Sequence, residues 1–147
     1  MEDWRRYLVQ LETAGIIYGG IVVRPASAGT SHVKTNGWTY DMAELAAIRK
    51  EMLETSPVGA GKTASKPGVG VRHLEVQGEQ FAVRQGGLGG GADKAIIGIC
   101  KPARTSMAAA LAADSSLVAA IGPLSAGDMA SARCIREVQW IADMCGP

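Results

Sequence analysis

Residues 70–101 read GVRHLEVQGEQFAVRQGGLGGGADKAIIGICK. Three strand-like runs follow one another here. Residues 72–76 mix apolar and polar positions, with Leu74 and Val76 two apart and therefore on one face. Gln77-Gly78-Glu79 is a turn, because glycine accepts positive φ at no steric cost. Residues 80–84 alternate, with Phe81 and Val83 on one side and Ala82 and Arg84 on the other. Gly86-Gly87-Leu88-Gly89-Gly90-Gly91 is a loop. Residues 94–100 carry Ile96, Ile97 and Ile99, a run apolar on both faces that suits an interior strand covered on both sides. The stretch predicts an antiparallel meander in the middle of a sheet.

Upstream, Trp4, Tyr7, Leu8 and Leu11 recur at i, i+3, i+4, i+7, one face of a helix that Gly15 stops. The two aromatics either pack on a core or form a partly exposed platform. Residues 16–23 read as strand interrupted by Gly19-Gly20. This is either one strand with a second backbone close to it or a hairpin turning on Gly-Gly. Residues 24–30 read as loop, 31–35 as a second strand and Asn36-Gly37 as a turn. Asp41 and Glu44 open a helix in capping-box fashion, with Leu45, Ile48 and Met52 on one face. Residues 55–68 read as loop. Downstream of the meander, the alanine-rich residues 105–114 predict a short helix, with Met107 and Leu111 on one side. Residues 117–121 predict a strand. Ser125 or Asp128 caps a last helix, in which Ile135, Val138, Ile141 and Met144 or Cys145 form the apolar stripe and Trp140 lies off its centre.

With 147 residues the chain fits one domain, 1–147, large enough to need no metal or disulfide staple. Its net charge of +1 gives no acidic or basic tail, which argues against a dedicated nucleic-acid binder, a class that usually shows a concentrated basic face. The three cysteines, Cys100, Cys134 and Cys145, are odd in number and form no Cys-x-x-Cys pair; buried, reduced thiols are expected. No secretory leader is expected from MEDWRRY, and the longest mostly apolar run, residues 14–23, is short of the roughly 18 residues of a membrane span. Gly59-Ala60-Gly61-Lys62-Thr63 has the end of a phosphate-binding loop, but Ser56 stands where the first glycine is required and Pro67 forbids a following helix. His32 and His73 have no partners at metal-ligand spacing, and no nucleophile–base pair stands out. The residues favour a binding protein over an enzyme, with no metal or cofactor.

The order of helix, strands, helix, three-stranded meander and terminal helix carries three short signatures: Trp4-x-x-Tyr7, Val76-Gln77-Gly78-Glu79 before a strand ending in Arg84, and Ala95-Ile96-Ile97-Gly98-Ile99. In that order and spacing the chain resembles profilin, the small actin-monomer-binding protein, over nearly its whole length. Its last stretch is similar to protist profilins with an extra helix before the final strand and terminal helix, here residues 105–114. The resemblance implies an α+β fold: a central antiparallel sheet, the N- and C-terminal helices packed together on one face, and shorter helices elsewhere.

It also implies function. Family members bind actin monomers and hold proline-rich segments in an aromatic groove between the terminal helices, regulating actin polymerisation in the cytoplasm. Trp4, Tyr7 and Trp140 match that groove. The family's further tryptophan, in its second strand, is replaced by His32, with Trp38 following. On the actin side, Arg72 and Arg84 stand where the family carries basic residues. Lys94, Lys101 and Arg104 add charge, Ser125 and Gly127 lie before the last helix, and the paired lysines common after Arg84 are replaced by Gln85-Gly86-Gly87. The implied partners of this monomer are actin and formin-like proline-rich proteins; basic patches in the family also meet phosphoinositide headgroups, for which the bases here are few and scattered. The alternatives are a scaffold or trafficking module of similar layout, and a nucleotide-binding module centred on Lys62.

Overall fold

A computed structural model describes residues 2–26, 29–54, 72–85, 95–127 and 129–145. The Gly59-Ala60-Gly61-Lys62-Thr63 segment and the rest of the loop expected at 55–68 lie outside the described residues, as do the glycine run at 86–91, Lys94 and Asp128.

The elements run α1 (Glu2–Thr13), β1 (Gly19–Ala26), β2 (Gly29–Lys34), α2 (Met42–Glu54), β3 (Arg72–Val76), β4 (Glu79–Gln85), β5 (Ala95–Cys100), β6 (Thr105–Leu111), β7 (Leu117–Ser125), β8 (Met129–Ala130) and α3 (Ala132–Cys145). The sheet order is β2-β1-β7-β6-β5-β4-β3, with β8 beside β7. Neighbouring strands are antiparallel throughout. The expected meander is present as β3-β4-β5. Its first turn places Gln77 at φ 54 and Gly78 at φ 81, the left-handed pair that suits the twist of a two-residue hairpin. Gln77 tolerates that conformation with its polar groups satisfied: its N–H donates to Glu44 Oε2 at 2.9 Å, and its side-chain amide donates to Glu44 and Thr39 O and accepts from Thr39 N. Glu44 therefore ties the meander to α2 rather than closing a capping box. Asp41 alone caps α2, accepting from Ala43 N and Glu44 N at 3.0 and 3.2 Å.

Each sheet face has its own core. On one, Leu8 and Leu11 of α1 and Val138 and Ile141 of α3 pack with Val22, Ala108, Ala110 and Val118. On the other, Leu45, Ile48 and Met52 of α2 pack with Trp38, Ile21, Phe81, Ile96 and Met107. The terminal helices thus share a face and α2 covers the other, the layered arrangement by which a sheet buries both its faces. Glycines set the closest approaches. A Cβ at Gly19 would lie 2.5 Å from Gly37 O, so the Gly19-Gly20 pair marks one strand crossed by another backbone, not a hairpin.

Three further expectations are corrected. Residues 105–114 do not form the extra helix: Thr105–Leu111 is β6, hydrogen-bonded to β5 and β7 on both edges. Alanine's helix propensity is worth less than 1 kcal/mol per residue against most others. At β6 it is outweighed by burial between two helix layers, where Ala108, Ala109 and Ala110 are all at 0 % exposure. The chain instead breaks at Ser115 (φ 72), whose carbonyl accepts from Arg49 at 3.1 Å, while Asp114 pairs with Arg24 at 3.1 Å. Secondly, β1 runs on through Arg24-Pro25-Ala26. Beyond Val23 it has lost its β7 neighbour, so a proline is tolerated at that edge. Thirdly, Ser125 does not cap α3. It donates to Met129 O at 3.0 Å across the β7–β8 turn, and Ser131 is the cap, accepting from Cys134 N at 3.2 Å.

Ser106 fixes where α3 begins. Its buried hydroxyl donates to Pro123 O at 2.9 Å and accepts from Ser131 N at 3.1 Å. Ser106→Ala strands both groups, and such a loss costs about 1–3 kcal/mol. Urea unfolding is expected to show that drop as a lower midpoint with an unchanged slope.

Candidate functional site

Trp4 and Tyr7 rise from the outer turns of α1, three residues apart and so on one side. Trp140 rises from α3 beside them. The three rings touch: Trp4 meets Trp140 at 5.8 Å and 77° and Tyr7 at 6.3 Å and 77°, while Tyr7 and Trp140 lie 5.1 Å apart at 45°. Edge-to-face packing of this kind adds roughly 0.5–1.5 kcal/mol per pair beyond burial. The trio caps the α1–α3 seam and is not swallowed by it. Trp4 and Tyr7 are half-buried, Trp140 is 45 % exposed, and Met144, one turn further along α3, is 54 % exposed. The result is a shallow aromatic platform with a flexible thioether at its margin.

The Tyr7 hydroxyl is not free. It donates to Glu137 Oε1, and the other oxygen of Glu137 accepts from Arg133 Nε at 3.3 Å. Burial, the Glu137 hydrogen bond and the Glu137 charge push the Tyr7 phenol up to about 12.

His32 and Trp38 do not join the platform. Trp38 is 1 % exposed in the core on the α2 side, held there by the close passage of Gly37 over Gly19. His32 is paired with Val23, whose side chain belongs to that same core, and it stacks on Tyr40 at 4.1 Å and 14°. Both lie across the sheet from Trp4.

The basic residues fall at different places. Lys101 and Arg104 are exposed in the β5–β6 turn. Leu124 N donates to Arg104 O at 3.2 Å, which brings that turn against the end of β7. Ser125 and Gly127 (φ 76) follow at once, so these four residues share one end of the sheet. Arg72 and Arg84 are at strand positions paired with Val83 and Ile97.

A further surface escaped the sequence reading. Among the described residues α1 packs chiefly on β1 and β2 and α3 on β6 and β7, and of β5 only Ala95 joins their core on that face. Ile97 and Ile99 on β5 and Ala82 on β4 are half-buried there, with His73 exposed beside Ala82. Ile99 neighbours Ser106, the anchor of α3, so this strip runs to the start of that helix. The signal was the second apolar face of the Ile96–Ile97–Ile99 run, which reads as core when the terminal helices are assumed to span the whole sheet.

The three cysteines are free and buried, and burial pushes the Cys134 thiol up to about 12, which leaves it unreactive. Among the described residues no helix is long and apolar enough to cross a membrane, and no group of acidic, His and Cys side chains could hold a metal ion.

No protein-family model matches the chain, and no curated protein matches it in sequence. Its fold is profilin-like. A crystal structure of LokiProfilin1 superposes with a TM-score of 0.57 at 12 % identity, covering 98 % of this chain and 95 % of that one. A crystal structure of the LokiProfilin1/rabbit actin complex superposes at 0.50 with 11 % identity, covering 99 % and 93 %.

Because Tyr7 holds its proton more tightly folded than unfolded, its contribution to stability is complete below pH 10 and is lost as pH rises towards about 12. Unfolding free energies across that range are expected to fall less steeply for Tyr7→Phe than for the wild type; parallel curves would show that Tyr7 is unperturbed.

Proposed function

We propose that the protein binds monomeric actin and proline-rich segments, and so regulates actin polymerisation in the cytoplasm. The observation that carries the reading is the likeness of almost the entire chain to LokiProfilin1, a protein also crystallised with rabbit actin. Actin's surface for docking is the half-buried strip of Ala82, Ile97 and Ile99, with Lys101 and Arg104 at its margin. An apolar centre with a charged rim is the usual division of labour in an interface. The second ligand is a polyproline II segment, taken up on Trp4, Tyr7 and Trp140. Such a segment is already extended, so binding orders little of it, and flat aromatic faces suit pyrrolidine rings.

Two features separate the two activities physically. The platform is apolar and depends on contact area. The actin margin is charged and acts on encounter, since rim charges alter association rates more than dissociation rates. Phe is nearly isosteric with Tyr and Ala with nothing, so Trp4→Ala is the cleaner lesion of the first surface.

Wild-type protein at tens of micromolar is expected to slow spontaneous pyrene-actin assembly by one-to-one sequestration. The double charge reversal Lys101→Glu/Arg104→Glu is expected to lower the association rate several-fold, most clearly at low salt. Assembly curves identical with and without the wild-type protein would defeat the actin half of the proposal, leaving a scaffold of the same fold.

A further inference from the structure

The hydroxyl of Tyr7 sits on the platform but spends its proton on Glu137. That matters for what the platform can recognise. A run of prolines offers carbonyl oxygens and no N–H, so it rewards donors. A phenol has one donor hydrogen and two acceptor lone pairs. With the hydrogen committed, Tyr7 presents only acceptor capacity outward.

The commitment is strong enough to persist against a ligand. Glu137 is a carboxylate whose side chain is only 14 % exposed, and a hydrogen bond to an ionised acceptor is roughly twice as strong as one between neutral groups. A proline carbonyl is a neutral acceptor and does not win the proton from it. Turning the hydroxyl outward would also leave one oxygen of a nearly buried carboxylate unpaired, with only Arg133 on the other. The indole N–H groups of Trp4 and Trp140 remain as the platform's donors.

Resting on the reading of the trio as a proline-rich-segment site, we propose that Glu137 is a specificity-determining residue. It holds Tyr7 as an acceptor, so that the platform prefers a proline-rich segment broken by a residue with a free backbone N–H over an uninterrupted polyproline run. The interrupting residue donates to Tyr7 Oη, while flanking prolines pack on Trp4 and Trp140. Glu137 itself touches no ligand; it acts through Tyr7.

The test is isothermal titration of the full chain with three sets of peptides. These are a proline decamer, decamers with one alanine at each central position, and the same decamers with N-methylalanine, which keeps the shape and removes the N–H. The best alanine peptide is expected to bind wild type about 3- to 10-fold tighter than its N-methyl counterpart, the size of one net hydrogen bond. Tyr7→Phe is expected to erase that difference. Glu137→Ala is expected to tighten the proline decamer by a similar factor, as the hydroxyl becomes a free donor, and Glu137→Gln to fall between. The gain is expected to vanish in Tyr7→Phe/Glu137→Ala. Cooperative thermal unfolding confirms that each variant is folded, and agreement between the two Glu137 variants guards against damage to α3 by either one. Wild type that binds proline decamer but shows no preference for any alanine peptide over its N-methyl counterpart, or no gain in either Glu137 variant, overturns this inference and leaves the platform standing. Absence of binding to every peptide by wild type and all variants at millimolar concentration overturns the platform reading and this inference together.

Discussion

The junction at Ser106 governs much of this molecule. One buried hydroxyl satisfies Pro123 O and Ser131 N at once, and so fixes the residue that caps α3 to two central strands. Helix geometry then does the rest. From Ser131 to Trp140 is nine residues, about 13 Å along a helix axis, and the end of that rise is where Trp4 and Tyr7 wait. The approach needs a thin surface beneath α3. The alanines of β6 provide it, with Ala108 and Ala110 turned to the helix and Ala109 to the other core. Interiors pack at crystal-like density, so larger side chains at these positions would lift the helix from the sheet.

Two surfaces with different physics follow from this arrangement. Anchoring α3 over β6 and β7 closes the aromatic seam with α1, and among the described residues of β5 only Ala95 joins that core while Ile97 and Ile99 stay half-buried on the shared face. One constraint therefore creates both the aromatic platform and the half-buried strip. Small exposed apolar areas are common on proteins, whereas an aromatic trio or a half-covered sheet face bordered by charge has more to recommend it as a contact surface.

Local pattern made the meander legible, because strict alternation at Phe81 and Val83 and the Gln77-Gly78 turn admit little else. It also made α1 and α2 legible, through a clean apolar stripe and the Asp41 cap. The alanine strand was not legible. Residues 105–111 score as helix on propensity, and only the neighbours on both edges decide otherwise. The start of α3 was misplaced because Ser125, Asp128 and Ser131 are all plausible caps, and the choice rests on Ser106, 25 residues away. Of the aromatic candidates, spacing put Trp4 and Tyr7 on one helix face without choosing between core and platform, and the match of both, and of Trp140, to an aromatic groove needed the family resemblance. Trp38 was misassigned because nothing local reports which side of a sheet a turn residue enters. The tie between Tyr7 and Glu137 spans 130 positions and no local signal could have carried it.

The central claim is that ligand recognition lies on the α1–α3 face, on two of the three tryptophans, and not across the sheet. Indole N–H cross-peaks in a nitrogen–proton correlation spectrum report each tryptophan separately. On titration with a proline-rich peptide, those of Trp4 and Trp140 are predicted to move together along one binding curve while that of Trp38 stays fixed. Movement of Trp38 with Trp4 and Trp140 unchanged, or three stationary peaks at millimolar peptide, would contradict the account.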